Sequence, residues 1–328
     1  MKNILNKLFD HSILSREEAK DILLQISRGE HHEVHIASFI TVYQMRPITV
    51  AELQGFSDAL LELCVPFDVK GMETFDIVGT GGDSKNTFNI STTSAFVIAG
   101  AGYKVTKHGS YGVSSNVGSS NVLEEMGYQF TNEQDTLMRQ LEEANICFLH
   151  APLFHPAMKE VVPVRRQLGM KTFFNMLGPL VNPVSPKWQL FGTYNLELSR
   201  LYQYLMQETE RHFSIVYALD GYDEISLTGP FKWRSRNSEQ LLYPKDLGMP
   251  TYTEKDLYGG ETADEARGIM TNVLKNEATV AQKDVVIANA GFSIHTIKPE
   301  TSLPDCMAEA RESIESGKAL QTLKKLLK

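Results

Sequence analysis

Apolar and polar positions follow two different rhythms along the chain. Up to residue 68 the spacing is helical. Ser15-Arg16-Glu17-Glu18 reads as a capping box, in which hydroxyl and carboxylate each satisfy a free backbone N–H, and Ala19, Ile22, Leu23 and Ile26 then share one helix face. Thr49-Val50-Ala51-Glu52 is a second box, followed by Leu53, Phe56, Leu60 and Leu63. Residues 34–43 between them are apolar enough for a buried helix. Pro66 closes the block and Lys70-Gly71 reads as a linker. His31, His32 and His35 have no Cys or carboxylate cluster beside them, so they read as a solvated helix start rather than a metal site. A few short helices bury little, so this block packs against the rest of the chain or a second subunit.

From Phe75 onward the rhythm changes. Short apolar runs at 75–78, 103–106, 146–149, 190–193, 213–219 and 285–288 read as strands, and helical stretches follow most of them. That alternation predicts an α/β fold: a small helical domain over 1–68, then an α/β domain over 69–328 with a central, largely parallel sheet. Ligands of such sheets sit beyond the carboxyl ends of the strands. The Pro-rich stretch 179–186 reads as an irregular crossing.

The loop after the first run is Gly79-Thr80-Gly81-Gly82-Asp83, with polar residues to Thr87, then Asn89-Ile90-Ser91-Thr92 and an apolar helical stretch. Glycines let the backbone approach a ligand and take positive φ, and the first N–H groups of a helix are free to hold an anion. Ser91 or Thr92 is the candidate N-cap. The loop is neither the dinucleotide fingerprint nor a P-loop. Taken alone it is equally a tight turn. A second polar loop, Lys107-His108-Gly109 with Ser114-Ser115 and Gly118-Ser119-Ser120, brings a cation and hydroxyls and favours a phosphate site.

Charge narrows the choice. With 328 residues, 42% hydrophobic and 22% charged, the chain is a globular protein, and its net charge of -8 gives no case for nucleic acid or an anionic membrane. Phosphate binding must therefore use local cations and backbone N–H groups. Cys64, Cys147 and Cys306 fit no metal pattern and read as free thiols of a reducing cytoplasm. There is no run of the ~18 apolar residues that suggests a membrane span, nor a signal-peptide core at the N-terminus.

Other residues read two ways. Asp223-Glu224, in a glycine loop after an apolar run, is either a solvated pair or a set of hard oxygen ligands suited to Mg²⁺. Lys107 is a surface lysine or the neutraliser of a phosphate. Of Arg165 and Arg166 on one helix, one faces solvent and the other can offer a planar fork to a carboxylate. His108, His155 and Lys159 read as structural, and no catalytic acid–base dyad is visible.

Several motifs in one order resemble the anthranilate phosphoribosyltransferase family over nearly the whole chain. They are 79–83, 87–92, Lys107-His108-Gly109 with Ser114-Ser115, His155-Pro156-Ala157-Met158-Lys159 and Pro163-Val164-Arg165. Phe174-Asn175-Met176-Leu177-Gly178-Pro179-Leu180-Val181-Asn182-Pro183, Asp223-Glu224 and Ser316-Gly317-Lys318-Ala319 continue the order. The resemblance implies a nucleoside phosphorylase/phosphoribosyltransferase-like fold whose helical domain is rejoined by a segment near 162–186, and a homodimer through that domain. It implies transfer of the 5-phosphoribosyl group from phosphoribosyl diphosphate (PRPP) to the amine of anthranilate, a step of tryptophan biosynthesis, with Mg²⁺ as cofactor. PRPP would lie on Gly79, Gly82, Asp83, Thr87, Asn89, Ile90, Ser91 and Thr92, and on Lys107, His108, Gly109, Ser114, Ser115 and Ser119. Anthranilate would meet Gly79, Ser110 and Arg165, and the metal Ser91, Asp223 and Glu224. A pentosyl-transferase with another acceptor, and a non-catalytic nucleic-acid-binding paralogue, are the alternatives. One departure stands out: the family's Lys-His-Gly-Asn-Arg is here Lys107-His108-Gly109-Ser110-Tyr111.

Overall fold

A computed structural model describes residues 1–112 and 117–328. The chain opens with α1 (Lys2–Phe9), α2 (Arg16–Ser27), α3 (Glu33–Met45) and α4 (Val50–Glu62). Then come β1 (Phe75–Gly79), α5 (Ile90–Gly100), β2 (Val105–Gly109), α6 (Ser119–Glu125), α7 (Gln134–Ala144) and β3 (Ile146–His150). The short helices α8 (Ala151–Phe154) and α9 (Val161–Leu168) precede β4 (Trp188–Gly192), α10 (Leu196–Gln207) and the strands β5 (His212–Ala218), β6 (Phe231–Ser235) and β7 (Glu239–Leu242). The chain ends in α11 (Ala263–Leu274), α12 (Val280–Ile297), α13 (Leu303–Glu315) and α14 (Lys318–Leu326). It forms two compact units, Met1–Pro66 with Ala151–Ser185, and Phe67–His150 with Pro186–Lys328.

The first unit is all helix. Both capping boxes form, Ser15 with Glu18 and Thr49 with Glu52. His32 is the N-cap of α3, its Nδ1 accepting the Val34 N–H, as a solvated helix start requires. Phe39, Tyr43 and Phe56 form an aromatic core with Phe173, whose ring stacks on Phe56 with centroids 4.7 Å apart. The chain returns to this unit at Ala151, ahead of the 162–186 segment that the resemblance implies.

The second unit is built on a seven-stranded sheet of order β3-β2-β1-β4-β5-β6-β7. The strands from β3 to β5 are parallel, and β6 and β7 add on antiparallel. β6 and β7 are absent from the strands expected above: the exposed Glu239-Gln240-Leu241-Leu242 has no alternation to betray an edge strand. The run 285–288 is a correction in the other direction. It lies in the middle of α12, an 18-residue helix opened by a Thr279/Gln282 capping box. A short apolar run has no period of its own, so only the flanking cap and length separate helix from strand. α12 packs on α5, and both are apolar nearly all round because each is buried within this unit.

Candidate active site

The strand order reverses between β1 and β4, the place where an open parallel sheet leaves a crevice at its carboxyl end. The two strands pair along their length and end together at Gly79 and Gly192. Neither glycine is there for φ. A Cβ on Gly79 would stand 2.3 Å from the Asp223 carboxylate, and one on Gly192 would stand 1.6 Å from the Asp223 carbonyl oxygen. The paired glycines therefore make the space in which Asp223 sits. Gly192 is missing from the residues read from sequence, where it is one of many strand-end glycines.

The loop beyond Gly79 turns through Gly81 and Gly82, both at positive φ, and non-glycine Ser84 shares that region at φ 61. It is tied down along its length. Thr80 N–H donates to Gly192 O at 2.9 Å, Lys85 N–H to Asp83 Oδ1 at 3.0 Å, and Asn86 Nδ2 to Gly260 O at 3.0 Å. Thr87 bridges Tyr258, and Asn89 Nδ2 reaches Val117 O at 3.1 Å. Asn89 is also the N-cap of α5, so Ser91 and Thr92, the caps expected from sequence, lie inside the first turn instead. Ile90 starts the helix and is buried with Thr92.

Two carboxylates take the donors that this loop offers. Gly81 N–H donates to Asp223 Oδ2 at 2.6 Å, and Ser91 N–H donates to Glu224 Oε1 at 2.9 Å. Burial and then the neighbouring Asp83 push the Asp223 carboxyl up from its ordinary pKa, against the pull of the Gly81 N–H. Burial, Asp223 and Asp83 push Glu224 well up, and the Ser91 N–H and Lys107 only partly offset them. Three acids thus converge with too little positive charge among them. Among the described residues no three His, Cys, Asp or Glu side chains form a closed metal cluster. Mg²⁺ does not need one, since it binds one or two carboxylates and fills its shell with water and phosphate oxygens, so this hard-oxygen set fits it. Asn289 of α12 fixes the pair from behind: its Oδ1 accepts Ile225 N–H at 3.1 Å and its Nδ2 donates to Ile225 O at 2.9 Å. Reading 285–288 as a strand hid that role, because Asn289 is placed by the helix.

Lys107 and His108 lie within the end of β2, paired with Phe148 and Leu149 of β3, rather than in a loop after it. Lys107 is 2% exposed. Burial lowers its pKa, and Asp76, Glu224 and Asp223 draw it back up, so the surface reading fails. Gly109 lets Ser119 close in, since a Cβ there would stand 2.5 Å from Ser119 Oγ. Ser110 O accepts Ser120 N–H at 3.1 Å and Ser119 Oγ at 3.2 Å. Tyr111 packs its ring edge-on to His150 at 4.9 Å. Ser114 and Ser115 fall outside the described residues.

Arg165 belongs to the first unit, on α9. Its guanidinium donates to Asn175 Oδ1 at 3.2 Å and lies 5.5 Å over the Phe174 ring, while Arg166 is exposed. Burial holds the Arg165 pKa below its usual value, and among the described residues its Nε has no hydrogen-bond partner. A half-buried guanidinium with a spare donor suits a carboxylate. His155 is buried in the same unit, its imidazole held neutral by burial with a pKa of about 4, as a structural histidine would be.

A helical bundle joined in one chain to an α/β unit whose phosphate-type loop faces an acid pair defines a glycosyl-transferring class of protein. Residues 2–64 match the glycosyl transferase family, helical bundle domain, and residues 71–320 match the glycosyl transferase family, a/b domain. Anthranilate phosphoribosyltransferase of Cytophaga hutchinsonii is 56% identical over 100% of both chains. The crystal structure of anthranilate phosphoribosyltransferase from Thermus thermophilus superposes with a TM-score of 0.92 at 30% identity, covering 98% of each chain. That from Saccharomyces cerevisiae in complex with PRPP and Mg superposes with a TM-score of 0.91 at 26% identity, covering 98% of this chain and 95% of the other. The chain belongs to the anthranilate phosphoribosyltransferase family.

Proposed function

We propose that this enzyme transfers the 5-phosphoribosyl group of PRPP to the amine of anthranilate, releasing diphosphate, as a step of tryptophan biosynthesis. The observation that carries the reading is the Asp223–Glu224 pair bonded to the Gly81 and Ser91 amides, beside buried Lys107. Diphosphate leaves easily only when its charge is neutralised. Loop amides other than those of Gly81 and Ser91, together with the Lys107 ammonium, receive its oxygens. Gly82, Asp83, Thr87, Asn89, Thr92, His108, Gly109 and Ser119 would line the remainder of the PRPP site. Asp223 and Glu224, with the Ser91 hydroxyl, would hold Mg²⁺, which supplies the remaining positive charge when bound.

As the C1–O bond to diphosphate breaks, positive charge develops on the ribose. The aromatic amine is largely neutral at pH 7, so its lone pair attacks C1 directly and the extra proton leaves afterwards to solvent. No base is required of the protein, which orients the reactants and excludes water. Arg165 would grip the anthranilate carboxylate, and Gly79 and Ser110 are the other residues assigned to that substrate. The enzyme works in the cytoplasm as a homodimer joined through its helical unit. Among the described residues no helix is long and apolar enough to cross a membrane. The test is PRPP consumption with and without anthranilate, in Mg²⁺ and in a chelator. Turnover should need both anthranilate and metal. Consumption without the acceptor, or undiminished by chelation, would overturn the assignment.

A further inference from the structure

The loop between β1 and α5 is held at two places by different parts of the chain. Its first half donates the Thr80 and Gly81 N–H groups to Gly192 and Asp223. Its second half meets a segment far along the sequence. Gly259 N–H donates to Asn86 O at 2.8 Å, Phe88 N–H donates to Leu257 O at 3.1 Å, and Asn86 Nδ2 donates to Gly260 O at 3.0 Å. Thr87 and Tyr258 pair between them in an antiparallel bridge. The two stretches lie so close that a Cβ on Gly259 would stand 2.5 Å from Thr87 O and 2.8 Å from Phe88 N. Only a residue without a Cβ permits that approach.

The segment is itself fixed at both ends. Before it, the turn Glu254–Leu257 is closed by Asp256 Oδ2, which accepts the Thr253 N–H at 2.8 Å, and Leu257 is 0% exposed in the core of this unit. After it, Gly260 at φ 86 turns the chain into α11, where Glu265 Oε2 accepts the Glu261 N–H at 2.6 Å and the Thr262 N–H at 3.2 Å. We propose that residues 257–260 are a positioning clasp that sets residues 87–89 of the loop for PRPP, with Gly259 its decisive residue and Asn86 its side-chain link. The proposal rests on the site reading above, which places Thr87 and Asn89 on PRPP. Asp223 and Glu224 take their N–H groups from Gly81 and from Ser91 within α5, outside the clasped stretch. The clasp therefore governs PRPP and leaves the metal pair to its own supports.

The test compares full-length wild type with Gly259→Ala. To regain ordinary contact, the Thr87 carbonyl would have to retreat by about 1 Å, and a misplacement of that size can cost up to about 100-fold. The KM for PRPP, and its Kd measured by calorimetry in Mg²⁺, should both rise at least about tenfold. The KM for anthranilate and the calorimetric affinity for Mg²⁺ alone should stay within about twofold. Gly268→Ala on α11, where a Cβ meets nothing within 4 Å, should leave all of these within about twofold. Unchanged PRPP affinity in Gly259→Ala, an equal loss for anthranilate or Mg²⁺, or the same loss in Gly268→Ala would overturn the proposal. Should Gly259→Ala not fold, Asn86→Leu removes one bond of the clasp and keeps its backbone. It should weaken PRPP binding about threefold, the worth of a neutral hydrogen bond, and no shift would equally overturn the proposal. A wild type that binds PRPP but shows no anthranilate-dependent turnover would sink the proposed function instead, while the PRPP titrations would still decide this inference.

Discussion

Each unit holds buried acids, and they are treated in opposite ways. Glu52 in the helical unit is 0% exposed. It accepts from Leu14 N–H at 3.0 Å, Tyr43 Oη at 3.2 Å, Thr49 N–H at 2.9 Å and the Arg46 guanidinium. Burial pushes its carboxyl up, but the Arg46 bond, the backbone bonds and the Arg46 charge outweigh that and hold it below its usual range. Asp223 and Glu224 in the α/β unit stand beside Asp83, take an N–H from Gly81 and Ser91 respectively, and are pushed up. A structural acid is surrounded until its charge is satisfied. An acid kept for a ligand is buried with its charge left over.

The widest test of that contrast removes both acids of the pair. Asp223→Ala with Glu224→Ala should cut turnover at least about 1,000-fold, some 4 kcal/mol in the barrier. Because the folded protein raises both pKa values, their ionised forms oppose folding above the usual carboxylate range. The melting temperature measured by circular dichroism should therefore hold or rise. Mg²⁺-dependent activity surviving in the double variant would remove the metal assignment.

Glu52 should behave the other way. Breaking a buried ion pair from one side costs about 3–5 kcal/mol, so Glu52→Ala should lower stability by that order in denaturant titrations. Its depressed folded pKa means that its contribution is present above the usual carboxylate range and lost as pH falls through the folded value. Glu52→Gln should flatten that dependence. A loss of less than about 1 kcal/mol would show that the pair is exposed to water in practice.

The arginines carry the same contrast at smaller amplitude, Arg46 matched by the Glu52 carboxylate and Arg165 set against the neutral Asn175 amide and the Phe174 ring. Arg165→Ala should raise the KM for anthranilate by tens- to a hundred-fold, roughly 2–3 kcal/mol, with far less change for PRPP. Equal shifts for both substrates would make it a structural arginine. The smallest effect belongs to Ser110. Ser110→Asn should improve the KM for anthranilate by about 0.5–1.5 kcal/mol, the worth of one or two neutral hydrogen bonds. A screen that found another amine at least about tenfold better in kcat/KM, about 1.4 kcal/mol, would show instead that Ser110 and Tyr111 favour a different acceptor.

What the sequence by itself determined is local chemistry. The positive-φ glycines at 81 and 82 and the capping boxes at Ser15 and Thr49 act in place or through neighbours a few residues away, so their meaning is written in spacing. The tertiary structure decided whatever depends on a partner distant in the chain. Gly192 matters because the Asp223 carbonyl lies against it, and Asn289 because α12 carries it to Ile225. The run 285–288 became helix, Asn89 rather than Ser91 or Thr92 capped α5, and Lys107, read as lying in a loop after a strand, is buried within the strand's end. Each of these turns on burial. An apolar run, a hydroxyl or a lysine carries the same letters whether it meets water or another strand, and its environment exists only once the sheet has assembled around it.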